Sequence, residues 1–292
     1  MKSPRSPTVR RQRPATDVAR DISVPLASES ARNPASEGDL RRAVARAAFA
    51  VDYQPRHAMR TGAFIGAEAL LRWTHRRPGR GGSGGGSPEN DRVDSAIEIG
   101  GLALSLACLE ATAWPGSNHL LSIKVLTEQL RCDLLCLHVA EALALSGLPP
   151  ERLELGLPED VLLTVDDDAL FAVAALRDLG VHLCLDEFGQ NLTSLSALKR
   201  IPVTALKLDR AMIRHLSQDE DAVTVLRAVM QTASAFGLAV CADGIENERQ
   251  RAILLNLGCE QGQGTLFSAA LSPVEVAAHL QRGSLLALSA MV

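Results

Sequence analysis

Asp186 and Glu187 stand side by side after the mainly apolar run Val181-His182-Leu183-Cys184-Leu185, and Phe188-Gly189 follows at once. A run of this length and composition suits a buried strand, so the two carboxylates fall at its end, where parallel barrels keep their active sites. The arrangement recurs. Leu238-Ala239-Val240-Cys241-Ala242 leads into Asp243-Gly244-Ile245-Glu246, and Ile65-Gly66-Ala67 leads into Glu68. Acid chemistry at the mouth of a cleft is what this spacing allows. Two comparable strand ends depart from it, since one finishes in Lys124 and another in Gly156. A bland role competes for Glu68, Asp186 and Asp243, because an acid just after a strand is a common helix N-cap.

The elements that must hold these residues alternate between strand-like and helix-like from Asp39 onward. Strand candidates end near Gln54, Glu68, Lys124, Gly156, Asp186, Lys207, Asp243 and Gln263, and stretches between them, such as Asp221 to Phe236, carry apolar residues at a helical period. That alternation predicts an α/β domain with a mainly parallel sheet, and the number of strand ends predicts a barrel over residues 39–285. Residues 1–38 are rich in Pro, Ser and Arg and contain no aromatic residue, which reads as a disordered tail. Residues 76–92 read as a flexible loop over the barrel mouth, because Arg76-Arg77-Pro78-Gly79-Arg80 leads into the Gly/Ser run from Gly81 to Pro88. That run lacks the Lys-Ser/Thr pair of a phosphate-binding P-loop. From this sequence, no separate sensor segment is expected beside the barrel.

The formal charge of -4 on 292 residues gives no case for nucleic acid or an anionic membrane as partner. The apolar stretch from Leu102 to Ala113 is broken by Ser105, Glu110 and Thr112, and the N-terminus lacks the apolar core of a secretory signal. A soluble, cytoplasmic protein is the expectation. The cysteines agree, since Cys184 and Cys241 lie in apolar runs and none of the six forms a C-x-x-C pair. Cys132 and Cys136 are four apart, a spacing that would put them on one face of an expected helix, but two thiolates alone make a poor metal site. His75, His119 and His182 show no ligand spacing.

Six motifs follow one another along the chain: Tyr53-Gln54-Pro55, Glu68-Ala69-Leu70-Leu71-Arg72-Trp73, Asp186-Glu187-Phe188-Gly189, Lys207-Leu208-Asp209, Asp243-Gly244-Ile245-Glu246 and Gln263-Gly264-Thr265-Leu266-Phe267. Taken in order, they resemble the EAL family of cyclic di-GMP phosphodiesterases. The resemblance implies a (β/α)8 TIM-like barrel with one reversed strand. It also implies metal-assisted hydrolysis of cyclic di-GMP to pGpG by Mg²⁺ or Mn²⁺ held on carboxylates.

In that frame Glu68, Asp186, Glu187 and Asp243 match metal ligands, while Lys124 and Gly156 stand where an Asn and a Glu ligand are expected. Glu187 is one methylene longer, and Asp243 one shorter, than the family residue. Hard ions demand oxygen ligands in near-octahedral geometry, so these departures predict an incomplete metal set that holds no ion tightly. Lys207, Glu159 and Glu246 match catalytic or supporting positions with vestigial roles. Arg72 and Gln263 match ligand-binding positions, although Arg72 also has Trp73 beside it to stack on. A lysine at 124 offers another balance, with its ammonium neutralising acids that would otherwise repel one another.

The expectation is a catalytically impaired EAL-type barrel that binds cyclic di-GMP or a regulatory protein partner. A homodimer contact is implied through the loop Gln190-Asn191-Leu192-Thr193-Ser194-Leu195, and no nucleic acid or membrane is expected as partner. The rival reading is a working phosphodiesterase.

Overall fold

Along the first strand, Phe49–Ala58 (β1), side chains take turns: Val51 and Tyr53 are buried, while Asp52 and Gln54 are partly open. Tyr53 packs edge-on against Trp114, with ring centroids 5.3 Å apart, and donates a hydrogen bond to Glu110. The Tyr53 face therefore meets the helical layer, and the face carrying Asp52, Gln54 and Arg56 looks into the barrel. These details come from a computed structural model that describes residues 49–73, 90–116, 118–130, 134–161, 167–189 and 198–280. The expected tail, most of the Gly/Ser loop and the segment from Gln190 to Leu195 lie outside the described residues.

The remaining strands are Phe64–Trp73 (β2), Leu120–Lys124 (β3), Leu153–Pro158 (β4), His182–Phe188 (β5), Ala205–Leu208 (β6), Ala239–Ala242 (β7) and Gln261–Gly262 (β8). They close into one barrel in sequence order. From β2 to β8 every neighbouring pair is parallel, whereas β1 runs antiparallel to both β2 and β8. The (β/α)8-type barrel with one reversed strand is thus the observed architecture.

Around it lie the helices Asn90–Thr112 (α1), Thr127–Leu130 (α2), Leu134–Ser146 (α3), Asp167–Asp178 (α4), Arg210–Arg214 (α5), Glu220–Ala235 (α6) and Glu248–Asn256 (α7), with a further helix over 273–280. The helical period read from Asp221 to Phe236 corresponds to α6, which Asp219 caps by accepting from the N–H groups of Asp221 and Ala222.

Three boundaries differ from expectation. The first two strands run on past Gln54 and Glu68 to Ala58 and Trp73, because β1 and β2 form a hairpin whose antiparallel ladder continues from Phe49↔Trp73 through Gln54↔Glu68 to the turn. A hairpin needs no helix between its strands, so its pairing is not cut off at the rim. The loop expected to reach residue 92 also ends sooner, since α1 already starts at Asn90.

Within the barrel, beneath the acidic strand ends, lies a buried ion pair. Arg56 of β1 donates to Glu154 of β4 at 2.7 Å, with side-chain exposures of 2% and 4%. Each charge sets the other: burial alone would lower the Arg56 pKa and raise that of Glu154, yet Glu154 holds Arg56 high and Arg56 holds Glu154 low.

Candidate active site

The parallel ladders decide which strand ends meet. Register pairs Lys124 with Gly156, Gly156 with Cys184 and Pro158 with Asp186, so β3, β4 and β5 deliver Lys124, Gly156 and the Asp186-Glu187 pair to one rim. From the neighbouring strands come Glu68 on β2, Lys207 on β6, Asp243 just after β7 and Gln263 just after β8.

At the centre is the Lys207 ammonium, 2.7 Å from Glu68 Oε1 and 3.4 Å from Asp186 Oδ1. Gln263 spans two acids through its amide nitrogen, donating to Glu68 Oε2 at 2.6 Å and to Asp243 Oδ1 at 3.2 Å. Lys124 takes the remaining acid, with Nζ 2.5 Å from Glu187 Oε1. Both ammonium groups are buried, with side-chain exposures of 4% for Lys124 and 5% for Lys207.

The electrostatics follow from this packing. Burial disfavours the charged form of Lys207, but the Coulomb field of Asp186, Glu68 and Asp243 outweighs it and holds the lysine well above its ordinary pKa. Burial likewise disfavours the Glu68 carboxylate, and Lys207 with Gln263 reverses that and lowers its pKa. Asp243 goes the other way: burial raises its pKa, and the attraction of Lys207 does not fully offset it. Arg210 stands 3.9 Å from its other oxygen.

The remaining expected site residues are placed as follows. Glu187 adopts φ 55°, a conformation that non-glycine residues seldom take, and its own N–H donates to Asp186 Oδ1 at 2.8 Å. Glu159 is buried and accepts the N–H of Gly189 at 3.0 Å, tying the end of β4 to the turn after β5. Arg72 lies on the interior face of β2, with Nε 2.6 Å from Asp52 Oδ2. Glu246 is exposed, and its backbone N–H donates to the Gln250 side chain at 2.7 Å. Lys207, Glu68, Asp186, Asp243 and Gln263 are thus brought together, Lys124 and Glu187 form a second pair beside them, and Glu246 stands apart.

Asp52 and Arg210 belong to no motif in the sequence, although Asp52 lies two residues before Gln54 and so shares its face. Glu154 belongs to none either, two residues before Gly156 on the same face of β4.

The donor set does not fit a pair of hard divalent ions. Lys124 places a cation where an oxygen ligand is expected, Gly156 offers no side chain, and both lysines hold the acids in ion pairs. Among the described residues, no three His, Cys, Asp or Glu side chains form a group able to hold a metal. Burial disfavours the thiolate form of three cysteines in this part of the barrel, pushing Cys241 up to about 11, Cys259 up to about 12 and Cys184 well above its ordinary value.

An eight-stranded barrel with a reversed first strand and an acid-lined carboxyl-terminal mouth defines a TIM-like α/β class. Within it, residues 37–270 match the EAL domain, and the chain belongs to that family. It is 32% identical over 245 residues to a protein of Mycobacterium tuberculosis, covering 82% of this chain and 39% of the relative. It is also 32% identical to the bifunctional diguanylate cyclase/cyclic di-GMP phosphodiesterase MucR of Pseudomonas aeruginosa, covering 78% of this chain and 34% of MucR. The chain therefore spans little more than a third of these relatives' length.

Among solved structures, the MucR phosphodiesterase in complex with c-di-GMP superposes with a TM-score of 0.74 at 30% identity, covering 82% of this chain and 98% of that one. The EAL domain of Mycobacterium smegmatis DcpA gives 0.70 at 32% identity, covering 81% and 99%.

Proposed function

We propose that this EAL-domain chain is a regulatory component of bacterial cyclic di-GMP signalling that binds the nucleotide or a protein partner in the cytoplasm and does not hydrolyse it. The observation that carries the reading is Lys124, whose buried ammonium sits 2.5 Å from Glu187 at the rim where a metal ligand is expected. The lysine supplies positive charge to the acids without the Lewis acidity that activates water. Lys207 does the same for Glu68 and Asp186. Glu159 and Glu246 act as supporting positions in this reading, and Arg72 and Gln263 as ligand contacts. A homodimer contact belongs to the same proposal.

A second reading has support of its own: Glu68, Asp186 and Asp243 converge around Lys207 and Gln263, as the resemblance to a phosphodiesterase site would require. One assay separates the two. Incubation with cyclic di-GMP and Mg²⁺ or Mn²⁺ is expected to give no pGpG. Turnover that Glu68→Ala abolishes would establish the enzyme instead, with the ions held on Glu68, Asp186, Glu187 and Asp243. In the absence of turnover, cyclic di-GMP binding to the same protein distinguishes a nucleotide receptor from a protein-interaction domain.

A further inference from the structure

Asp52 is the acid of the pocket that no motif accounts for. It stands opposite Leu70 in the β1–β2 ladder, while Arg72 stands opposite Ala50, so the two are diagonal neighbours on the interior face of the hairpin. A guanidinium reaches such a diagonal neighbour with ease. The Arg72 Nε lies 2.6 Å from Asp52 Oδ2 as an ion pair without an aligned hydrogen bond, and the other carboxylate oxygen, Oδ1, is buried without a hydrogen-bond partner. The arginine side chain keeps 37% of its surface exposed, so the pair sits where the mouth opens to solvent.

The charge inventory gives this contact its weight. Among the described residues, the pocket carries five carboxylates, Asp52, Glu68, Asp186, Glu187 and Asp243, against four cations, Arg72, Lys124, Lys207 and Arg210. Lys124 and Lys207 are buried in ion pairs, whereas the two guanidiniums, Arg72 and Arg210, reach solvent with 37% and 60% of their side chains exposed. A planar fork matches a phosphate bidentately, and of the two it is Arg72 that an acid holds closely, at 2.6 Å against 3.9 Å for Arg210. An adjacent carboxylate both neutralises it and repels the incoming charge.

We propose that Asp52 is an affinity-setting residue: an internal carboxylate that competes with a phosphate-bearing ligand for Arg72. The inference rests on the nucleotide-binding reading above and adds the group that tunes it. A ligand phosphate must displace Asp52 from Arg72 or accept a weaker contact, so the native pocket binds anions less tightly than its arginine would permit. Asp52→Asn keeps the shape, removes the charge and leaves four acids against four cations among the described residues of the pocket.

The test is calorimetry on the full chain, as native protein, Asp52→Asn, Asp52→Ser, and each variant combined with Arg72→Ala. Each is titrated with cyclic di-GMP and, separately, with inorganic pyrophosphate. Both Asp52 variants are expected to bind tighter by about tenfold, the scale of one charge-assisted contact. The gain should vanish when Arg72 is absent, a dependence that general loosening of the mouth would not show. Cyclic di-GMP binding by the native protein with no gain in either Asp52 variant would overturn the inference and leave the receptor reading standing. A gain for pyrophosphate alone would support the competition and remove cyclic di-GMP as the ligand. Failure of every protein to bind either titrant would overturn the inference, since an unmasked Arg72 must hold pyrophosphate.

Discussion

Lys124 Nζ lies 2.5 Å from Glu187 Oε1, which takes the side chain from β3 past β4 to β5. The residue of β4 that pairs with Lys124 is Gly156, which has no side chain to stand in the way. The two departures from the expected ligand set are therefore neighbours in register, and they should be reversed together.

Lys124→Asn combined with Gly156→Glu is expected to raise Mn²⁺ affinity at least about tenfold, or roughly 1.4 kcal/mol, by calorimetry. There is room for the new side chain to start, since a Cβ at 156 would meet Asp186 Cβ and Oδ2 at 3.4 Å and Lys124 Cα at 3.6 Å. Unchanged affinity in the double variant would place the defect in the segment from Gln190 to Thr193.

Lys207→Met should destabilise the fold by about 3 kcal/mol in urea at neutral pH, because Glu68 and Asp186 would stay buried without their counter-charge. The sign of the pH dependence follows from the shifts. The Lys207 pKa is raised on folding, so its contribution is complete below its ordinary value of 10.5 and is lost as pH climbs through the folded value. Glu68 is lowered, so its contribution holds above its ordinary 4.5 and is lost on acidification. Asp243, raised by burial, subtracts stability above the ordinary carboxylate range and partly offsets Glu68. The gap between native and variant proteins should be widest from about pH 5 to pH 10 and narrow below it.

Glu154→Ala should cost about 3–5 kcal/mol, since it strands the Arg56 guanidinium inside the barrel. Replacing both partners, as Arg56→Met with Glu154→Leu, should recover most of the loss. A double variant as unstable as the single one would show that packing, not charge, is what the pair supplies.

His57 makes the fold acid-sensitive. Burial, with a smaller contribution from His279, lowers its pKa from 6.5 to about 4. A base whose pKa falls on folding stabilises fully above its unfolded value and gives that up as pH drops towards the folded value. Between pH 7 and pH 5 this amounts to about 1 kcal/mol after allowing for solvent screening. His57→Phe should flatten the melting temperature over that interval, and an unchanged slope would assign the acid sensitivity elsewhere. The ring is stacked on Phe267 at 5.1 Å, so an aromatic replacement keeps the packing.

What the sequence made legible was whatever depends on neighbours along the chain. The apolar runs ending at Lys124, Asp186, Lys207 and Asp243 are strands that finish there or within two residues, because a fully buried parallel strand writes its length as an apolar run. The hairpin strand carrying Glu68 was cut short because one face of β2 is polar near its end, where Arg72 points inward.

Partner choice was much less legible. Lys207 pairing with Glu68 joins residues 139 apart in sequence, and Gln263 with Glu68 joins residues 195 apart. No local pattern encodes such pairs. The same holds for Asp52 and Arg72, which the hairpin register makes neighbours although their spacing in sequence is unremarkable. Lys124 was recognisable as a misplaced cation, but that it selects Glu187 while Lys207 takes Asp186 follows only from the order of strands around the closed barrel.

The Arg56–Glu154 pair within the barrel has a consequence for how such a chain changes over generations. Its two charges answer one another inside the barrel, so the wall keeps an internal brace that does not consist of the residues at the rim. Substitutions among the rim residues leave that brace in place. In a barrel braced this way, the chemistry of the mouth can be varied apart from the wall that carries it.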